Sequence, residues 1–96
     1  MMLDYKLSLS AKEDLRRIYN YGIEKFGIAQ ADRYFSTLFN HFETIAQKPF
    51  AFASVEHIKK GYRRCPCGSD SIYYRIINER VEIMAIIGQQ DFSALP

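Results

Sequence analysis

Two stretches of apolar residues at helical spacing are separated by a single glycine, and this constrains the chain more than any other feature. Ala11, Leu15, Ile18, Tyr19, Gly22 and Phe26 recur along one face, and Gly27 follows as a left-handed stop. A second pattern runs from about Ile28 to Gln47 through Ala31, Tyr34, Phe35, Leu38, Phe39, Phe42, Ile45 and Ala46, and Pro49 closes it. Two amphipathic helices joined at one residue can only fold back on each other, so an antiparallel helical hairpin is expected. Its apolar faces need a second layer to cover them.

The rest of the sequence supplies that layer. Tyr5-Lys6-Leu7-Ser8-Leu9 alternates with period two and reads as a short strand. Ser10-Ala11-Lys12-Glu13 fits a capping box at the start of the first helix. Lys48 to Gly61 reads as a connection with one helical turn around Val55 to Ile58. Tyr62 to Cys65 is the next strand, Gly68-Ser69-Asp70 a turn, and Ser71 to Ile77 a β-branched and aromatic strand. Asn78-Glu79-Arg80 turns the chain into a last strand, Val81 to Ile87, with Val81, Ile83, Ala85 and Ile87 expected on one face. The order β-α-α-β-β-β predicts an α+β fold, a helical hairpin packed on a mainly antiparallel sheet. With 96 residues there is room for one core, so residues 1–96 form a single expected domain. Where the first strand joins the sheet is left open by the pattern.

Composition narrows the function classes. A net charge of +2 is too near balance for a dedicated polybasic DNA or membrane binder. The longest apolar run, Ile83 to Ile87, is far short of a membrane span, and the opening Met1-Met2-Leu3-Asp4-Tyr5-Lys6 lacks an apolar signal core. A cytoplasmic location is expected. The two cysteines, Cys65 and Cys67, have C-x-C spacing that disfavours a disulfide and cannot complete a zinc site by itself, so reduced thiols and no metal or cofactor are expected.

The densest polar feature is Lys59-Lys60-Gly61-Tyr62-Arg63-Arg64, reinforced by Arg75. On strands, Tyr62 and Arg64 share a face opposite Arg63, and Tyr73 and Arg75 share a face opposite Tyr74. This pattern makes an electropositive, aromatic-lined surface suited to nucleic acid or an acidic segment. The plainer alternative is a solvated strand face with cross-strand pairs such as Arg75 with Glu82. A metal-independent nuclease on this surface would use Arg64 and Arg75 for phosphate charge and Glu82 or a tyrosine for proton transfer, but no diagnostic spacing marks one. There is no nucleophile elbow, P-loop or G-x-G-x-x-G. The residues favour binding over catalysis. Seven aromatics on the hairpin exceed what one small seam must hold, which leaves some for a partner groove.

The ordered set Leu9-Ser10-Ala11-Lys12-Glu13-Asp14-Leu15-Arg16-Arg17-Ile18, Phe26-Gly27, Gly61-Tyr62-Arg63-Arg64, Gly68-Ser69, Ile72-Tyr73-Tyr74-Arg75 and Val81-Glu82-Ile83 resembles the toxin member of bacterial type II toxin–antitoxin pairs, specifically the ParE branch of the RelE/ParE superfamily. The resemblance implies the β-α-α-β-β-β fold already read. It also implies a toxin that poisons DNA gyrase by binding, with a ParD-like antitoxin that neutralises it and alone carries the operator-DNA contact. On that reading Tyr62, Arg63, Arg64, Tyr74 and Arg75, with Gly88, Gln89, Gln90 and Asp91, form the target surface. Leu15, Ile18, Tyr19 and Tyr34 with Ile83 or Ala85 form the antitoxin groove. The alternatives are a RelE-like ribosome-dependent mRNA endonuclease and a non-toxic antitoxin-binding module. The sequence departs from the family's pattern at two histidine positions: Asp70 follows Gly68-Ser69, and Gly88 follows Ile87.

Overall fold

The computed structural model describes residues 3–88 together with 95 and 96. The elements are β1 (Asp4–Leu7), α1 (Leu9–Phe26), α2 (Ile28–Gln47), β2 (Ala53–Ser54), β3 (Tyr62–Cys67), β4 (Asp70–Ile77) and β5 (Arg80–Ile87). Two helices pack on one face of a five-stranded mixed sheet of order β1-β5-β4-β3-β2. The α+β hairpin-on-sheet architecture is as the sequence predicts, with the two-residue β2 added inside the Lys48 to Gly61 connection.

Gly27 adopts φ +86°, which an L side chain rarely tolerates, and lets α2 start immediately after α1 ends. The helices approach closely where Gly22 faces Ala31: a β-carbon at Gly22 would lie 3.3 Å from the Ala31 Cβ. The β4–β5 turn has positive φ at both Asn78 and Glu79, the geometry of a two-residue type I′ hairpin.

Two local expectations change, and the place of β1, which the sequence left open, is settled. The helix cap is Ser8, not Ser10: its hydroxyl accepts from the Ala11 N–H at 3.0 Å and donates to the Met84 carbonyl at 3.0 Å. Because the Ser8 N–H also bonds the Ile83 carbonyl, the helix is pinned to the sheet and begins at Leu9, which leaves the strand face and stands 75% exposed. β1 lies at the sheet edge, parallel to β5. The long return through two helices permits that parallel pairing. The second change is that the registers Tyr73↔Ala85 and Tyr74↔Ile83 leave Met84 as an extra residue in β5. This bulge inverts the alternation beyond it. Val81, Ile83 and Ile86 therefore face the helices, while Ala85 and Ile87 turn to the opposite face.

The sheet thus has two apolar sides. The inner side packs Cys65, Ile72, Tyr74, Val81, Ile83 and Ile86 against Ala11, Leu15, Leu38, Phe42 and Ile45. The outer side gathers Tyr62, Tyr73, Met84 and Ala85 beneath Val55 and Leu95. Where β1 ends, side chains of α1 continue its ladder along β5. Asp14 Oδ2 accepts from the Ile86 N–H at 2.9 Å, and Arg17 donates to the Ile86 carbonyl at 3.1 Å. An open edge of backbone donors and acceptors is closed in this way.

Candidate functional site

The basic-aromatic cluster divides between the two sides of the sheet, as strand alternation requires. Arg64 and Arg75 stand on the outer face. Arg64 Nε donates to Ser71 Oγ at 2.9 Å, and Arg75 Nε donates to Glu82 Oε1 at 2.8 Å across the β4–β5 ladder. Tyr62 lies beside Arg75 in register, and Tyr73 beside Arg64. Lys59 Nζ stands 5.9 Å from the centre of the Tyr62 ring. The outer face therefore joins guanidinium groups, tyrosine rings and one carboxylate already engaged as a counter-ion.

The other expected target residues are placed differently. Arg63 points to the helix side, donates to the Phe52 carbonyl at 2.8 Å and lies over the Phe50 ring at 5.1 Å. Tyr74 is wholly buried in the inner core, and its hydroxyl donates to the Pro49 carbonyl at 2.7 Å. Burial pushes its phenol up to about 12. Tyr74 therefore has no surface to offer a target, because the alternation that exposes Arg75 sends its neighbour inward. Tyr62 is on the right face but only 1% exposed, in one buried cluster with Val55 and Leu95, and its hydroxyl donates to the Pro96 carbonyl. Burial raises its phenol pKa, Arg75 works against that shift and Glu82 with it. Gly88 sits at the end of β5, and Gln89, Gln90 and Asp91 lie outside the described residues. For the nuclease alternative, Arg64, Arg75 and Glu82 do share the outer face.

A second concavity, of about 1130 Å³, opens between the helical hairpin and the end of the sheet where β4 begins and β5 finishes. Of the residues expected to form the antitoxin groove, Ile18, Tyr19 and Tyr34 line it. The other expected groove residues do not: Leu15 and Ile83 are core, and Ala85 is on the outer face because of the bulge. Tyr21 and Phe26, two of the seven hairpin aromatics from which a partner groove was expected, also line it, and so do Arg17, Arg33, Asp70 and Gly88, which pattern reading did not place there. Tyr21 and Phe26 stand exposed, large rings on the helix that do not enter its core.

The floor of this groove is a fixed polar cluster. The Tyr34 hydroxyl has one proton to donate between two acceptors, Asp70 Oδ2 at 2.6 Å and the Cys67 carbonyl oxygen at 2.8 Å. Burial, then Asp70, holds the Tyr34 phenol well above its ordinary value. Gly68 has φ +59°, and a β-carbon there would lie 2.7 Å from the Tyr34 ring. On the groove wall Tyr19 donates to Asp32 at 2.5 Å. Behind the floor, Cys65 and Cys67 are buried free thiols; burial pushes the Cys65 thiol up to about 11. Among the described residues, no group of three or more His, Cys, Asp or Glu side chains is placed to hold a metal.

Comparison with known proteins gives a consistent set of likenesses. The family model described as "ParE toxin of type II toxin-antitoxin system, parDE" matches residues 5–91. The chain is 39% identical over 88 residues to the Toxin ParE1 of Caulobacter vibrioides, covering 92% of this chain and 91% of that protein. Its fold superimposes on a chain of the chromosomal ParDE toxin–antitoxin system from P. aeruginosa with a TM-score of 0.81 at 19% identity, over 93% of this chain and 98% of the other. A chain of the toxin–antitoxin complex RelBE2 from Mycobacterium tuberculosis gives a TM-score of 0.70 at 14% identity, over 93% of this chain and all of the other.

Proposed function

The chain belongs to the ParE toxin family of type II toxin–antitoxin systems, and on that premise we propose that it arrests growth in the cytoplasm by binding DNA gyrase, without breaking a covalent bond itself. The outer face is the target surface, with Arg64 and Arg75 supplying charge. The observation that carries a binding role is the Arg75–Glu82 pair. The carboxylate that a nuclease would use as its base is held as a counter-ion to the cation that would stabilise phosphate charge. A purified-gyrase supercoiling assay tests this reading: inhibition that rises with toxin concentration is expected, and undiminished supercoiling at saturating toxin removes gyrase as the target.

The partner that restrains the toxin is a ParD-like antitoxin, whose C-terminal segment occupies the groove lined by Ile18, Tyr19 and Tyr34. Half-buried rings over a fixed polar floor suit an amphipathic segment that inserts apolar anchors and pairs its charges with Arg17 and Arg33 at the rim. Operator DNA is contacted through the antitoxin, since this chain presents no strong net positive charge. Co-purification with the product of an adjoining small reading frame, lost on substitution of groove residues, tests the partner.

A further inference from the structure

The outer face carries an occupant that its own strands do not supply. Leu95 is 91% buried there, packed in the cluster of Val55, Tyr62, Tyr73, Met84 and Ala85. Beside it the Tyr62 hydroxyl donates to the Pro96 carbonyl. These contacts fall at one place on the sheet: Tyr73 pairs with Arg64 and with Ala85, and Tyr62 pairs with Arg75. Leu95 is therefore packed in the cluster that buries two tyrosine rings, and the register neighbours of those tyrosines are Arg75 and Arg64.

The bulge at Met84 makes this socket. It turns both Met84 and Ala85 outward, and the small Ala85 side chain stands in register with Tyr73 within the cluster that Leu95 joins. A leucine adds its buried apolar area to such a cluster at the cost of ordering its own short side chain.

We propose that Leu95 is a latch on the target surface: seated in the Ala85–Tyr73 socket, it keeps the Tyr62 and Tyr73 rings covered, and its release exposes them between Arg64 and Arg75. The latch works by competition, since any partner that uses those rings must first displace Leu95. It concerns what covers the surface and holds whatever macromolecule the toxin engages, so its test needs no gyrase.

The test is tyrosine nitration by tetranitromethane on the full chain, mapped by mass spectrometry, for wild type and Leu95→Asp. Tyr21, more than half exposed on α1, reports free reactivity, and Tyr74, buried on the opposite side of the sheet, reports that the fold is intact. In wild type, Tyr62 and Tyr73 are expected to be protected with Tyr74. In Leu95→Asp their nitration rises about tenfold or more, because the buried leucine holds the covered state by at least that factor, while Tyr74 stays protected. Wild-type Tyr62 and Tyr73 reacting as fast as Tyr21, or both remaining protected in Leu95→Asp, would overturn the proposal. Should Tyr74 also react in that variant, the milder Leu95→Ala decides by the same two criteria.

Discussion

A β-carbon placed on Gly88 would lie 2.6 Å from Oδ1 of Asp70, so the two positions where this chain departs from its family's histidines occupy one volume. Asp70 holds that volume because its other oxygen is bonded to Tyr34, and the Ser69 carbonyl, 3.3 Å from the same point, closes the other side. Gly88→Ala is expected to cost about 1–2 kcal/mol by forcing Asp70 off its Tyr34 bond. In an Asp70→Ala background the same change should be nearly neutral. A double-mutant cycle by denaturant unfolding checks this coupling.

Tyr34 joins α2 to the start of β4 through one hydroxyl. Tyr34→Phe removes the one donor that Asp70 Oδ2 and the Cys67 carbonyl share, and leaves the Asp70 carboxylate without it. A loss of about 1–3 kcal/mol is expected from chemical denaturation.

Stability should fall in alkali. The folded chain holds the Cys65 thiol up to about 11 and the Tyr74 phenol up to about 12, in both cases chiefly by burial, and raises Tyr34 by burial and its bond to Asp70. In the unfolded chain these groups ionise nearer 9 and 10. Above about pH 9 the unfolded state therefore binds fewer protons than the folded one, and stability decreases as pH rises toward 11–12. Below that window these groups contribute no pH dependence. Thermal unfolding from pH 7 to 11 should show a flat region and then a decline. Tyr34→Phe and Cys65→Ser should flatten the decline.

Arg75→Ala should separate toxicity from folding. Its pair with Glu82 is partly exposed, so the substitution costs at most about 1 kcal/mol of stability. Induced expression is expected to arrest growth for the wild type and not for the variant. A calorimetric melt confirms that the variant is folded. Ribosome-dependent mRNA cleavage that is lost in Arg75→Ala would instead establish the nuclease alternative.

Ile18→Glu should break neutralisation while sparing toxicity. Ile18 lines the groove and is only partly buried, so a charge there meets the antitoxin rather than the core. Co-expressed antitoxin is expected to rescue wild-type cells but not the variant, with affinity reduced about tenfold or more in titration calorimetry. Leu15→Ala on the same helix is the contrast. It empties a buried site, should cost about 2–5 kcal/mol, and should reduce toxicity by unfolding.

What the sequence alone determined are the features carried by local sterics and short-range periodicity. The hairpin at Gly27, the turn at Asn78-Glu79, and the alternation that separates Arg64 and Arg75 from Arg63 and Tyr74 all arise within a few residues, where 3.6- and 2-residue periods act directly. The ordered motifs added the family. What only the tertiary structure decided are the features that one distant backbone contact can change. Ser8 wins the cap over Ser10 because its hydroxyl reaches the carbonyl of Met84, 76 residues away. A single extra residue in β5 inverts Ala85 and removes it from the groove, since a period of two cannot survive an insertion of one. The edge position of β1, the meeting of Asp70 with Gly88 and the seating of Leu95 on the outer face each join residues far apart in the chain. No local propensity encodes such pairs; they follow from how the sheet closes once its strands have chosen neighbours.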